Sequence, residues 1–234
     1  MKFLFLTTTS IALILWSHSL LAMGQDDPLL SFINVDNLEL READETSFAL
    51  EADAWYGRDI NKLWLKTEIE ADRESTEDAE LQALYSRAVS PFWDAQIGVR
   101  ADFDSASDRQ YLVLGLQGLA PFFLDADLSY FLSSDGDSSF RVSSEYELML
   151  AQNWILVPEL EANFFGQNNA EYGEGSGLSD LELGLRLQYR VTRQFLPYLG
   201  VVHETRFGNA ADFAEAENEE KSETFLVLGL HAWF

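Results

Sequence analysis

Along this chain, apolar residues recur at every second position. The closing segment, Thr224 to Phe234 (TFLVLGLHAWF), shows it plainly: Leu226, Leu228, Leu230, Ala232 and Phe234 alternate with Val227, Gly229, His231 and Trp233. Period two is the signature of a strand, whose successive side chains point to opposite faces. The segment resembles the closing strand of a bacterial outer-membrane barrel, with its terminal aromatic; the competing reading is a last core strand of a soluble β protein. The same alternation predicts strands at Ser47 to Tyr56, Lys62 to Ala71, Leu81 to Val89, Ala95 to Phe103, Gln110 to Leu119 and Phe123 to Leu132. It continues through Ser139 to Leu150, Ile155 to Phe165, Leu178 to Arg190 and Phe195 to Thr205. Leu30 to Leu40 alternates poorly, but it completes a set of about twelve, the even number that barrel closure requires. Pro158 cannot donate to a sheet ladder and predicts a local bulge.

The connections alternate too. Short turns near Pro91, Pro121, Trp154 and Arg193 interleave with longer charged loops near Glu77, Ser107, Gly136, Gly173 and Glu217. Asp72 to Glu80 reads as one such loop, and Arg206 to Glu223 as the longest and most acidic; no segment shows helical periodicity. An all-β, transmembrane, up-and-down antiparallel β-barrel has this rhythm, with short periplasmic turns and longer outer loops. Counting back from Phe234 then places both termini on the periplasmic side.

The first 24 residues read as a signal peptide. Lys2 supplies the charged end, Phe3 to Leu15 the apolar stretch, and Ala22 and Gly24 the small residues before a cut. Residues 25–46 form the periplasmic lead-in and first strand, and residues 47–234 the remainder of a single barrel domain. No later run could cross a bilayer as a helix, so further membrane embedding must be by strands. The absence of Cys excludes disulfides and thiolate metal sites. A net charge of −25, from 40 acidic and 15 basic residues, excludes nucleic acid as a partner.

Charged residues recur inside otherwise apolar strands, and the bilayer midplane would penalise a cation by about 2–4 kcal/mol. They are therefore expected to face a shared interior: Glu51, Glu68, Glu70, Arg100, Asp102, Asp125, Asp127, Arg141, Glu145, Glu147, Glu159, Glu161, Glu182, Arg186 and Arg190. Such a lumen is either a charge-paired plug or a path for cations. His231 falls on the lumen face and is a candidate metal ligand, set against a plain hydrogen-bonding role. His203 falls on the lipid face near the outer rim.

Several stretches together resemble the copper resistance protein B family. They are Trp55-Tyr56-Gly57-Arg58-Asp59, Leu84 to Asp94 (LYSRAVSPFWD), Gly118-Leu119-Ala120-Pro121, Gly175 to Asp180 (GSGLSD), Leu183-Gly184-Leu185-Arg186, Pro197-Tyr198-Leu199-Gly200-Val201 and Ala232-Trp233-Phe234. The resemblance implies a Gram-negative outer-membrane barrel with a part in copper resistance and copper homeostasis. The partners it implies are outer-membrane lipid, the barrel assembly machinery during insertion, and periplasmic copper-handling proteins. Copper is the ion it implies. Family members commonly carry a Met- and His-rich segment before the barrel; Gln25 to Asp36 has neither residue. The alternatives are a small cation-selective pore and a structural barrel without metal specificity. An enzyme is not expected. A lipid-face phospholipase would need a Ser-His pair, for which His203 is the candidate near the rim, and no Gly-x-Ser-x-Gly elbow exists.

Overall fold

A computed structural model describes residues 27–43, 46–71, 76–104, 108–217 and 219–234. The expected signal peptide lies outside them. Thirteen strands appear among the described residues: β1 (Leu30–Glu42), β2 (Thr46–Gly57), β3 (Asn61–Ala71), β4 (Thr76–Ala88), β5 (Trp93–Asp104), β6 (Arg109–Ala120), β7 (Leu124–Ser133), β8 (Ser138–Glu145), β9 (Leu148–Ala151), β10 (Trp154–Phe165), β11 (Gly177–Tyr189), β12 (Phe195–Arg206) and β13 (Ser222–Trp233). Neighbours in sequence pair antiparallel, and β13 pairs with β1, so the sheet closes. β8 and β9 both pair with β10 and share one stave. The barrel therefore has twelve staves and no free edge.

Facing follows the alternation. On β13, Leu226 and Leu228 are 64% and 63% exposed on the outer wall, whereas Val227 between them is 3% exposed. The uninterrupted strands run from 10 residues in β7 to 13 in β1, β4 and β11. At about 3.3 Å per residue and a tilt of about 40°, they span about 25–33 Å, enough for the apolar band of an outer membrane.

The first strand owes its poor alternation to a β-bulge. Val35 pairs with Ala52 and Asn37 with Glu51, so Asp36 is an extra residue on β1. Outward residues switch there from odd (Ile33) to even (Leu40) positions, each about half exposed. Bulges bend a strand and re-aim side chains, and this one lets Asp36 and Asn37 both contribute to the lumen wall.

Three expectations need correction. The charged stretch Asp72 to Glu80 is not all loop, because β4 begins at Thr76 and Glu80 pairs with Asp102 and Glu68. A wall residue needs only one apolar neighbour in two, which a run of acids conceals. The long acidic loop contains a helix, α1 (Gly208–Glu217), whose Ala210, Ala211 and Ala214 are buried. Alanine has the best helix propensity and carries little hydrophobic signal among acids. Finally, Pro158 stays paired with Leu185, and the irregularity falls on its other neighbour. The ladder lapses between Glu145 and Leu148, opposite Pro158, where Tyr146 still donates its N–H to the Pro158 carbonyl at 3.2 Å.

Short turns and both ends of the described barrel lie on one rim, longer loops on the other. Phe234 and Ile33 exchange backbone hydrogen bonds of 2.8 and 3.0 Å at the β13–β1 seam. The β6–β7 turn (Pro121–Phe123) puts Phe122 and Phe123 at φ of 70° and 64°, with both rings thrown outward. Left-handed backbone is strained for bulky side chains.

Candidate functional site: the charged lumen

The inward face is half ionic and half apolar. Leu84, Tyr111, Val113 and Phe131 pack from β4, β6 and β7; Ile155, Val157 and Leu196 from β10 and β12; Tyr198, Val202 and Val227 from β12 and β13. The inward face also encloses a cavity of about 530 Å³. Its wall includes Glu51, Glu68, Glu70, Asp125, Asp127, Glu145, Glu159, Glu161, Glu182 and Arg186, together with Asp36, Asp53 and Arg41. Carboxylates outnumber the two guanidiniums several-fold, so the space favours cations.

Four arginines tie the wall together. Arg186 on β11 and Glu39 on β1 are each 1% exposed. Arg186 donates through Nε and Nη2 to the two Glu39 oxygens, both at 3.1 Å, and through Nη1 to Glu159. Glu39 also accepts from Arg41 Nε at 2.8 Å and from the Tyr198 hydroxyl at 2.9 Å. Arg41 continues to Glu204 at 2.9 Å, Glu70 at 3.2 Å and Glu182 at 3.6 Å. A buried bidentate pair with its remaining lone pairs occupied is the arrangement that offsets desolvation. On the far side, Arg141 on β8 reaches Glu80 at 3.1 Å, Glu68 at 3.2 Å and Glu161 at 3.3 Å. Arg100 holds Glu80 at 2.7 Å and Asp102 at 2.6 Å. Lys66 on β3 meets Asp127 on β7 at 2.6 Å. The Arg186–Glu39, Arg141–Glu68, Arg141–Glu80 and Lys66–Asp127 links join staves that are not neighbours in the sheet, so they cross the interior.

Two of the expected residues stand apart. Glu147 sits at the lapse between β8 and β9 and is exposed. Arg190 lies just past β11, in the short turn, where its N–H donates to the Asn153 carbonyl at 2.8 Å. Sequence reading missed Asp36, Glu39 and Arg41, hidden by the parity switch of β1, and Glu80, taken as loop. The signal for the first three was the shift of apolar residues from Ile33 and Val35 to Leu38 and Leu40.

An aromatic row lines neighbouring staves at the short-turn end. Phe32 stacks on Trp55 and Trp233 with centroids 6.2 and 6.1 Å apart, and Trp55 meets Trp64 at 6.2 Å. His231 is on this inward face, with Nδ1 3.2 Å from the Asp36 carbonyl oxygen. No cluster of three or more His, Asp or Glu side chains among the described residues has the geometry to hold a metal ion.

His203 is exposed on the outer wall near the long-loop rim, ringed by hydroxyls. Thr224 Oγ1 is 2.8 Å from Nδ1, and Ser222 Oγ and Thr205 Oγ1 are each 3.2 Å from Nε2. A serine does meet an imidazole here. The group on the other nitrogen is a neutral hydroxyl, however, which does little to steady the imidazolium that a general base must become.

The comparisons agree with this geometry. The family model for "Copper resistance protein B precursor (CopB)" matches residues 29–234. The chain is 38% identical over 210 residues to copper resistance protein B of Escherichia coli, covering 89% of this chain and 71% of that protein. It is 40% identical over 210 residues, with the same coverage, to a copper resistance protein B homolog of Pseudomonas syringae pv. tomato. Among solved structures, the NanC porin superposes with a TM-score of 0.56 at 15% identity, covering 86% of this chain and 98% of that one. The KdgM porin gives 0.54 at 15% identity, covering 88% and 99%. At such identity the porins speak for the fold alone. A closed barrel with an apolar outer wall, matched by the family over nearly all its described length, belongs to the copper resistance protein B family of the bacterial outer membrane.

Proposed function

We propose that the protein contributes to copper resistance from the outer membrane by holding or passing cations in its acidic lumen, with no catalytic step. The supporting observation is the cavity of about 530 Å³, whose wall carries a several-fold excess of carboxylates over guanidiniums. In a water-filled space between low-dielectric walls, that excess raises the local concentration of cations and repels anions. Copper enters as cargo; its link to this chain comes from the family. In this reading both termini and the short turns face the periplasm, where copper-handling proteins would meet the barrel, and membrane delivery uses the signal peptide and the barrel assembly machinery. The decisive test is deletion of the gene, followed by growth on graded copper, zinc and silver. Selective loss of copper tolerance is expected, restored by the wild-type gene and less well by a Glu51→Gln/Glu159→Gln/Glu161→Gln variant. Unchanged tolerance would sink the reading.

A second reading, a small cation-selective channel without metal specificity, draws on the same acidic wall. It predicts cation conductance of the purified barrel in planar bilayers and no copper phenotype on deletion.

A further inference from the structure

The long-loop mouth carries a feature that neither the wall nor the cavity explains. Residues 166–176, between β10 and β11, make a small closed turn, with Asn169 and Glu174 exchanging backbone hydrogen bonds of 2.8 and 3.0 Å. Its Tyr172–Glu174 limb is tied inward to β6, three staves from β10. Arg109, the first residue of β6, forms a two-pronged ion pair with Glu174 and sits 3.9 Å from the centre of the Tyr172 ring. Both side chains of the pair are 11% exposed. Arg109 shares the parity of Tyr111 and Val113, so it reaches Glu174 from inside the wall. The base of the turn, Asn168 and Gly175, meets helix α1. A Cβ built on Gly175 would lie 2.3 Å from the Ala210 backbone nitrogen, so only glycine allows this approach. The Asn209 side chain donates to Asn168 at 2.8 Å.

The placement of the anchors gives the feature its meaning. α1 follows β12 and packs against β11, and β6 stands four staves from β11. Loop and helix together therefore form a strap that leans inward over one side of the mouth, hooked at Arg109 and butted at Ala210. We propose that this strap is a gate for the lumen, with the Arg109–Glu174 pair as its catch. A catch made of one charge pair can release, whereas the arginine network deeper in the wall is multiply held and stays. The gate does not depend on the identity of the ion, so it stands apart from the copper reading.

The test is conductance of the purified barrel in planar bilayers, with folding checked by the heat-dependent shift in gel mobility. Glu174→Gln releases the hook; Gly175→Val forces the loop off helix α1. Each is expected to raise time-averaged conductance at least threefold over wild type. Replacing residues 168–174 by two glycines, as a third variant, removes the hook and the Asn168 contact with the helix together and is expected to do the same. Folded variants that conduct as wild type does would overturn the proposal. So would a barrel that stays silent in all forms, because its lumen would then be closed elsewhere.

Discussion

Replacing Arg186 by Met is the sharpest test of how the interior holds the barrel. The side chain is 1% exposed and Glu39 opposite is fully enclosed. Removing the guanidinium takes away two hydrogen bonds of 3.1 Å to Glu39 and the contact with Glu159. Stranding a buried charge in this way costs about 3–5 kcal/mol. Glu39 keeps Arg41 at 2.8 Å and the Tyr198 hydroxyl at 2.9 Å, so the low end, about 3 kcal/mol, is expected. Urea unfolding of the barrel in detergent measures it, with the slope unchanged and the midpoint lowered. The double variant Arg186→Met/Glu39→Gln removes the stranded charge as well and should recover at least about 1 kcal/mol relative to Arg186→Met, the signature of a coupled pair. An Arg186→Met barrel within about 1 kcal/mol of wild type, or a double variant whose losses merely add, would refute the claim that this pair is a principal tie.

Three further outcomes follow from particular contacts. A Cβ on Gly229 would lie 2.5 Å from Tyr198 Cζ and 2.8 Å from the Leu38 carbonyl oxygen, so Gly229→Ala should cost about 1–3 kcal/mol in the same urea assay. Phe122, at φ 70° with its ring 86% exposed, should gain about 1 kcal/mol on substitution by Gly through relief of left-handed strain; a loss would instead show the ring anchored in the lipid headgroups. His231 meets a backbone carbonyl and belongs to no ligand cluster among the described residues, so His231→Ala should leave copper tolerance unchanged in complemented deletion cells.

How much of this was legible depends on what each residue has to satisfy. On β11, Leu183 and Leu185 meet lipid while Glu182 and Arg186 meet the lumen, and the alternation reads directly. β1 obeys the same rule on either side of Asp36, but the extra residue reverses parity midway and averages the pattern away. Glu80 was lost because five acids lie among Asp72 to Glu80, and a wall position flanked by them looks like solvent. α1 was lost because its buried face is alanine. The partners of the arginines were beyond reach: local pattern says that Arg141 points inward, but only the closed sheet brings Glu68 and Glu80 within reach of it.

The crossing links have a consequence for the girth of the molecule. Lys66 to Asp127, and Arg141 to Glu68 and Glu80, act like spokes, each cut to one span of the bore. Inserting another hairpin would widen the hoop and leave every spoke short at once, turning satisfied charges into stranded ones. The tube cannot be enlarged piecemeal; its bore and its ionic filling would have to change in the same step.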